Sequence, residues 1–145
     1  RAVQSADILD IKFSDLNYEM DKPADTTYWK YLLMSISGYE LYLKTYRGGF
    51  EAKNVMEQIL LNETFPRSVI YSINHLHRYF ERLKNDKNIS GYNQIDFMIG
   101  KVKSKVKFST TDSIIQEGLH RFLTDTKFDL FQIGSTLNQN YFAHS

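Results

Sequence analysis

Pro66-Arg-Ser-Val-Ile-Tyr-Ser-Ile-Asn-His-Leu-His-Arg-Tyr-Phe-Glu-Arg-Leu83 is the stretch whose reading decides the fold. Val69, Ile73, Leu76, Phe80 and Leu83 recur at spacings of four, three, four and three, so they share one face of an α-helix. A proline suited to a first helical position stands ahead of them, and the spacing predicts a central core helix over 66–83. Arg67 then falls in the first turn, where the helix N–H groups already present about half a positive charge. A cation there costs about 0.3 to 1 kcal/mol unless an acid or a ligand anion answers it. Arg67 is therefore a candidate anion- or partner-binding residue.

Upstream, Ala6, Leu9, Phe13, Leu16 and Met20 alternate spacings of three and four and predict a first helix from Val3 to Met20, ending near Asp21. Lys22 to Thr27 has loop composition, with Asp25 or a threonine as the cap of a short second helix over Trp29 to Ile36. Ser37-Gly-Tyr-Glu40 fits the S-x-x-E capping box of a third helix that reaches about Tyr46 and stops at Gly48-Gly49. Glu51 to Leu61 predicts a fourth helix, with Asn62 suited to a left-handed exit.

Downstream of the central stretch, Asn85 to Ser90 is a polar connection. Tyr92 to about Val106 predicts a helix on Ile95, Met98, Ile99, Val102 and Val106. Lys101 to Phe108 also alternates with period two, as a strand would, but one isolated strand has no partner in the chain. Ser109-Thr-Thr-Asp112 caps a single long last helix on Ile115, Leu119, Phe122, Thr126, Leu130, Ile133 and Leu137. The expectation is an all-α, multi-helix bundle of about six to seven helices with no significant sheet, in one domain spanning 1–145.

The 18 basic and 17 acidic side chains nearly cancel, so no global field gathers nucleic acid or anionic lipid. Zero cysteines exclude disulfides, thiolate catalysis and cysteine-based metal sites. No apolar run approaches the roughly 20 residues that cross a bilayer. Glu117-x-x-His120 is a single carboxylate and imidazole pair, where a di-iron bundle needs two such pairs and two further glutamates. His75 and His77 are two apart and point away from each other on a helix. Lys101, Lys103, Lys105 and Lys107 form a basic cluster that a helix spreads over two faces, the pattern of a solvated surface. Phosphate-loop, dinucleotide-binding and serine-elbow motifs are absent. These readings predict no catalytic residue, no metal, no cofactor and no nucleic-acid or membrane partner, and they allow the cytoplasmic setting that the resemblance given below implies.

Arg67, Glu40, Trp29 and Tyr39 remain as candidate anion- or partner-binding residues. Their structural alternatives are an ion pair of Arg67 with Glu63, Glu57 or Glu40, the capping box for Glu40, and the core for Trp29.

Several motifs from Asp25 to Leu83 resemble the second half of the alpha-E family, a bacterial all-helical domain of unknown function. They are Trp29 with Leu32-Leu33, Ser37-Gly38-Tyr39-Glu40 with Tyr42, Ile59-Leu60-Leu61-Asn62, and Phe65-Pro66-Arg67-Ser68-Val69. Arg1-Ala2 followed by Ala6-Asp7-Ile8-Leu9-Asp10 extends the likeness, since the family carries a Glu-Arg-Ala motif before an Ile-Leu-Asp run. The motif's glutamate is missing here, so the expectation is a fragment lacking the N-terminal half of the natural protein. The resemblance implies a gene neighbourhood with an ATP-grasp protein and often a transglutaminase-like protease. It thus implies a non-catalytic accessory or scaffold that docks such a protein or its peptide in a peptide amide-ligase pathway, with homodimerisation through exposed helical faces as a further expectation. The alternative is an enzyme acting on peptide-like amides whose site needs the missing glutamate.

Overall fold

The computed structural model describes residues 2–15, 26–84 and 92–139, and every one of its regular elements is a helix. Among the described residues there are eight: α1 (Ala2–Ser14), α2 (Thr26–Ser35), α3 (Tyr39–Thr45), α4 (Ala52–Leu61), α5 (Val69–Lys84), α6 (Tyr92–Lys107), α7 (Thr111–Glu117) and α8 (Leu119–Leu137). Leu16, Met20, the 22–25 loop and the 85–90 connection fall outside them, as does the side chain of Leu83.

The four longest helices close a ring, in which α1 and α6 each pack against both α5 and α8. Ala6, Leu9 and Phe13 of α1, Val69, Ile73 and Phe80 of α5, and Ile95, Ile99, Val102 and Val106 of α6 are all buried. Leu119, Phe122, Leu123, Thr126 and Ile133 of α8 complete this core. Each buried Val, Leu, Ile or Phe side chain among them contributes about 1.5 to 3 kcal/mol on leaving water. Asp7 binds Lys127 at 2.8 Å and Asp10 meets His120 at 3.0 Å, which sets α1 antiparallel to α8. Ala6, Leu9 and Phe13 of α1 and Leu119, Phe122 and Ile133 of α8 are turned inward, while Ile11, Phe128 and Phe131 stay exposed elsewhere on these helices. Helix α4 lies against α1, α5, α6 and α7 and buries Val55, Met56, Ile59 and Leu60.

Helix α2 caps the C-terminal end of α1. Trp29 sits 5.4 Å from the Phe13 ring, and the Tyr28 hydroxyl donates to the Lys12 carbonyl at 2.6 Å. Fully buried Tyr42 stacks on Phe50 at 5.2 Å, donates to the Gly49 carbonyl and accepts from Glu51 N–H, which pins the glycine turn between α3 and α4.

Several local expectations need correction. The capping box at 37–40 does not form, because Ser37 is consumed in ending α2. Ser37 N–H donates to Met34 O and Gly38 N–H to Leu33 O, with Ser37 at φ 58°, which is a Schellman closure. Gly38 therefore occupies the N-cap of α3 with no side-chain cap, and Glu40 stands free in the first turn. Helix α5 begins at Val69 rather than Pro66, because the Ser68 hydroxyl accepts from Tyr71 N–H at 3.1 Å and so caps the helix. Asn62 is extended, at φ −79° and ψ 106°, instead of left-handed. Its Oδ1 accepts from the Thr64 N–H and hydroxyl, forming an Asx turn.

The long last helix is two helices. Gly118, at φ 108° and ψ 120°, donates to Ile114 O to finish α7 and accepts from Phe122 N–H to start α8. Ile114, rather than Ile115, is consequently the buried residue of α7. The lysine segment stays helical to Lys107, since Val102 and Val106 are four apart and both buried beside α8.

Ser37→Gly is expected to stabilise the fold by about 1 kcal/mol in urea unfolding, because glycine relieves the left-handed backbone. A capping box would give a loss of roughly a few tenths of a kcal/mol instead. Gly38→Ala is expected to destabilise by about 1 to 3 kcal/mol. Its Cβ would meet buried Phe65 Cζ and Gln58 Nε2 at 2.9 Å each, and the latter already donates to the Gly38 carbonyl at 2.7 Å.

Candidate functional site

The four residues singled out from the sequence do not converge on one site. Trp29 is 1% exposed and belongs to the core. Tyr39 is half-buried, stacked on Phe50 at 6.1 Å with Lys30 Nζ 5.5 Å above its ring. Glu40 is exposed on α3. Arg67 precedes the Ser68 cap, so it lies outside the first turn and escapes the dipole cost. Its carbonyl accepts from the Ser5 hydroxyl at 2.6 Å, which ties the turn to α1, while its exposed side chain forms no ion pair among the described residues.

A different set of side chains does converge, along the outward face of α5. Tyr71, His75, Arg78 and Arg82 recur at spacings of four, three and four, directly opposite the buried stripe. Three adjoining cavities open on this face. The first, about 430 Å³, is lined by Pro66, Tyr71, Ser72 and His75, and the second, about 240 Å³, by His75, Arg78, Tyr79 and Arg82. The third, about 350 Å³, lies over the seam with α6 between Glu63, Tyr71, Asn74, Arg78, Lys103 and Lys107. Tyr71, His75 and Arg78 are each shared by two of them, so the three form one cleft.

The electrostatics of the cleft are one-sided. Among the described residues neither Arg78 nor Arg82 has a carboxylate partner, and Glu63 is the one acid lining the three cavities. Lys103 is positioned by His77, whose Nδ1 lies 3.0 Å from Nζ while Nε2 faces Glu81 at 3.3 Å. An ammonium has only protons to offer, so Nδ1 is the acceptor and Nε2–H donates to the glutamate. Asn74 donates through Nδ2 to Glu63 at 3.5 Å, and its Oδ1 is buried with no donor among the described residues. Of the lysine cluster, Lys103 and Lys107 turn toward α5, whereas Lys105 lies 5.1 Å above the Phe122 ring. The cluster is thus spread over two faces, as the helix demands. Interleaving of two stripes on α5 concealed the site, and the 71–75–78–82 spacing was the signal that would have found it.

Next to this cleft, and sharing Glu63 with it, lies a cavity of about 560 Å³ lined by Tyr46, Glu57 and a rim of hydroxyl side chains including Thr45, Thr64, Ser109 and Thr110. No group of three His, Asp or Glu residues with metal-binding geometry occurs among the described residues. His120 pairs with Asp10 across helices, and Gly118 breaks the helix between it and Glu117, so this pair shares no metal site. No helix among the described residues is long and apolar enough to cross a membrane.

The profile of the Alpha-E family, described as a predicted alpha-helical domain with a conserved ER motif, matches residues 1–142. The chain belongs to the Alpha-E family. That span corrects the narrower placement in a C-terminal half, since the match runs almost from end to end. No curated protein and no solved structure matches the chain. Arg1, which aligns with the arginine of the Alpha-E motif in the resemblance above, lies outside the described residues.

Tyr46 supplies a titration marker for the neighbouring cavity. Burial, then the hydrogen bond of its hydroxyl to Glu57 Oε1 at 2.7 Å and the charge of that carboxylate, raise its pKa well above the ordinary tyrosine range. A raised folded-state value gives a contribution that is full below the unfolded pKa of about 10 and is lost as pH climbs above it. Tyr46→Phe is expected to flatten the alkaline fall of Tm between about pH 9 and 11 relative to the parent chain. An identical slope in both would show that the hydroxyl ionises as freely in the folded chain as in the unfolded one.

Proposed function

We propose that this Alpha-E chain is a non-catalytic docking module of an ATP-grasp peptide amide-ligase pathway in a bacterial cytoplasm, and that its α5 cleft receives an acidic segment of the partner protein or of the pathway's peptide. One observation carries the reading. Arg78 and Arg82, joined by Lys103 and Lys107, line connected cavities in which Glu63 is the one carboxylate among the described residues. Unpaired guanidinium groups in a concave surface favour bidentate capture of carboxylates, and such residues recur where partners anchor. Arg67 is exposed and follows Pro66, which lines the same cleft. The choice of an ATP-grasp or transglutaminase-like protein as partner rests on the family resemblance.

The test is co-elution of the chain with its neighbouring ATP-grasp protein, together with the rate of ATP turnover by that protein with and without the chain. Co-elution and a raised rate are expected, and the double substitution Arg78→Glu and Arg82→Glu should abolish both while the far-UV circular dichroism of the chain stays unchanged. Retained association in that variant would remove the cleft from the interface.

A further inference from the structure

We infer that Lys103 is a modification site, a nucleophilic amine that takes the acyl group of small acyl phosphates. Such a site works without a docking partner and goes beyond the role proposed above. Three side chains are aligned across the seam of α5 and α6. Lys103 Nζ lies 3.0 Å from His77 Nδ1, and His77 Nε2 lies 3.3 Å from Glu81 Oε1. Nucleophile, base and a third group that orients the base stand in the order by which nucleophiles are activated. Other lysines are held differently. Lys127 and Lys53 meet the carboxylates of Asp7 and Asp112, which are far weaker bases than an imidazole, while Lys12 and Lys30 lie over aromatic rings.

The space in front of this amine selects the acyl donor. Lys103 is half-buried and lines the cavity of about 350 Å³ together with Arg78 and Lys107, so a small molecule reaches it. Glu63, on the same wall, accepts from Asn74 Nδ2. Arg78 and Lys107 offer N–H donors to a phosphoryl group, and a guanidinium grips two of its oxygens at once. An acyl phosphate meets both features in one molecule, since its phosphate suits the cations and its carbonyl carbon is an electrophile for the amine. A simple anion uses only the cations, and a neutral ester only the amine.

In the step, one ammonium proton of Lys103 passes to His77 Nδ1, and the imidazolium so formed keeps its Nε2–H on Glu81. The freed electron pair attacks the carbonyl carbon to form the N–C bond, and the bond from that carbon to the phosphate oxygen breaks with its electron pair leaving on phosphate. The proton that the new amide nitrogen sheds goes to the departing phosphate, and His77 returns its own to water. The products are an Nε-acyl-lysine and inorganic phosphate. Acylation turns an ammonium into a neutral amide, so the cleft loses one of its cations.

For the test, the chain is incubated with acetyl phosphate, and acetylation of each lysine is followed by peptide mass spectrometry. Lys101, exposed on the same helix, is the internal reference, because accessibility alone favours it over Lys103. Lys103 is expected to react at least about tenfold faster than Lys101. His77→Gln keeps an acceptor for the ammonium but offers no base, and should lower the Lys103 rate about tenfold with Lys101 and the far-UV circular dichroism unchanged. In the parent chain the ratio of the two rates should fall as acid protonates His77, and in His77→Gln it should stay flat with pH. Arg78→Gln is expected to slow Lys103 about tenfold with acetyl phosphate but not with p-nitrophenyl acetate, an uncharged donor. Lys103 reacting no faster than Lys101, an unchanged Lys103 rate in His77→Gln, or equal slowing of both donors by Arg78→Gln would each overturn the proposal.

Discussion

Helix α5 must bury one face against α1, α4 and α6 at once, and most of the molecule follows from that constraint. Val69, Ile73 and Phe80 cannot leave water without presenting the residues half a turn away to solvent, because side chains on an α-helix advance by about 100° per position. The core and the cleft are therefore the two sides of one helix. Tyr71, His75, Arg78 and Arg82 face outward because the apolar stripe faces inward.

The short connections decide where that helix begins and what it holds. Residues 62–68 form a turn in which Asn62 O accepts from both Phe65 N–H and the Ser68 hydroxyl, and Ser68 then caps α5. Ser5 on α1 donates to the carbonyl of Arg67, so the same turn is fastened to the ring of long helices. Glu63 projects from this turn toward Asn74, which makes one small loop responsible for the acid of the cleft as well as for the start of its main helix. Electrostatic pairing elsewhere is peripheral. Lys53 with Asp112 and Arg121 with Asp125 are exposed pairs, each worth about 0 to 1 kcal/mol.

Periodicity was a reliable guide wherever a helix has one buried face. The stripes on α1 as far as Phe13, on α5 as far as Phe80 and on α6 from Ile95 to Val106 face the core as their spacing demands, with Leu76 and Met98 only partly buried. Helix ends were less legible, because several side chains compete for the same backbone groups. Ser37 offered a cap to α3 but lies at the left-handed exit of α2, and Pro66 offered a first helical position that the Ser68 hydroxyl overrode. Gly118 reads in sequence as a tolerable interruption of a long stripe, and only its positive φ reveals a break. Glu40 and Arg67 were noticed for their local context, and neither is joined to an acid or base by the fold.

By itself the amino-acid sequence determined the all-helical class, the inward face of each long helix and the absence of cysteine chemistry, because these depend on composition and on spacings along a single chain. Membership of the Alpha-E family was likewise legible in short motifs such as Phe65-Pro66-Arg67-Ser68-Val69. Tertiary structure alone decided that α1, α5, α6 and α8 close a ring and that α6 brings Lys103 and Lys107 to Arg78. It alone also left Asn74 Oδ1 buried without a donor among the described residues. Charge density and hydrogen-bond satisfaction depend on distances between segments remote in sequence, and no periodicity within one segment encodes them.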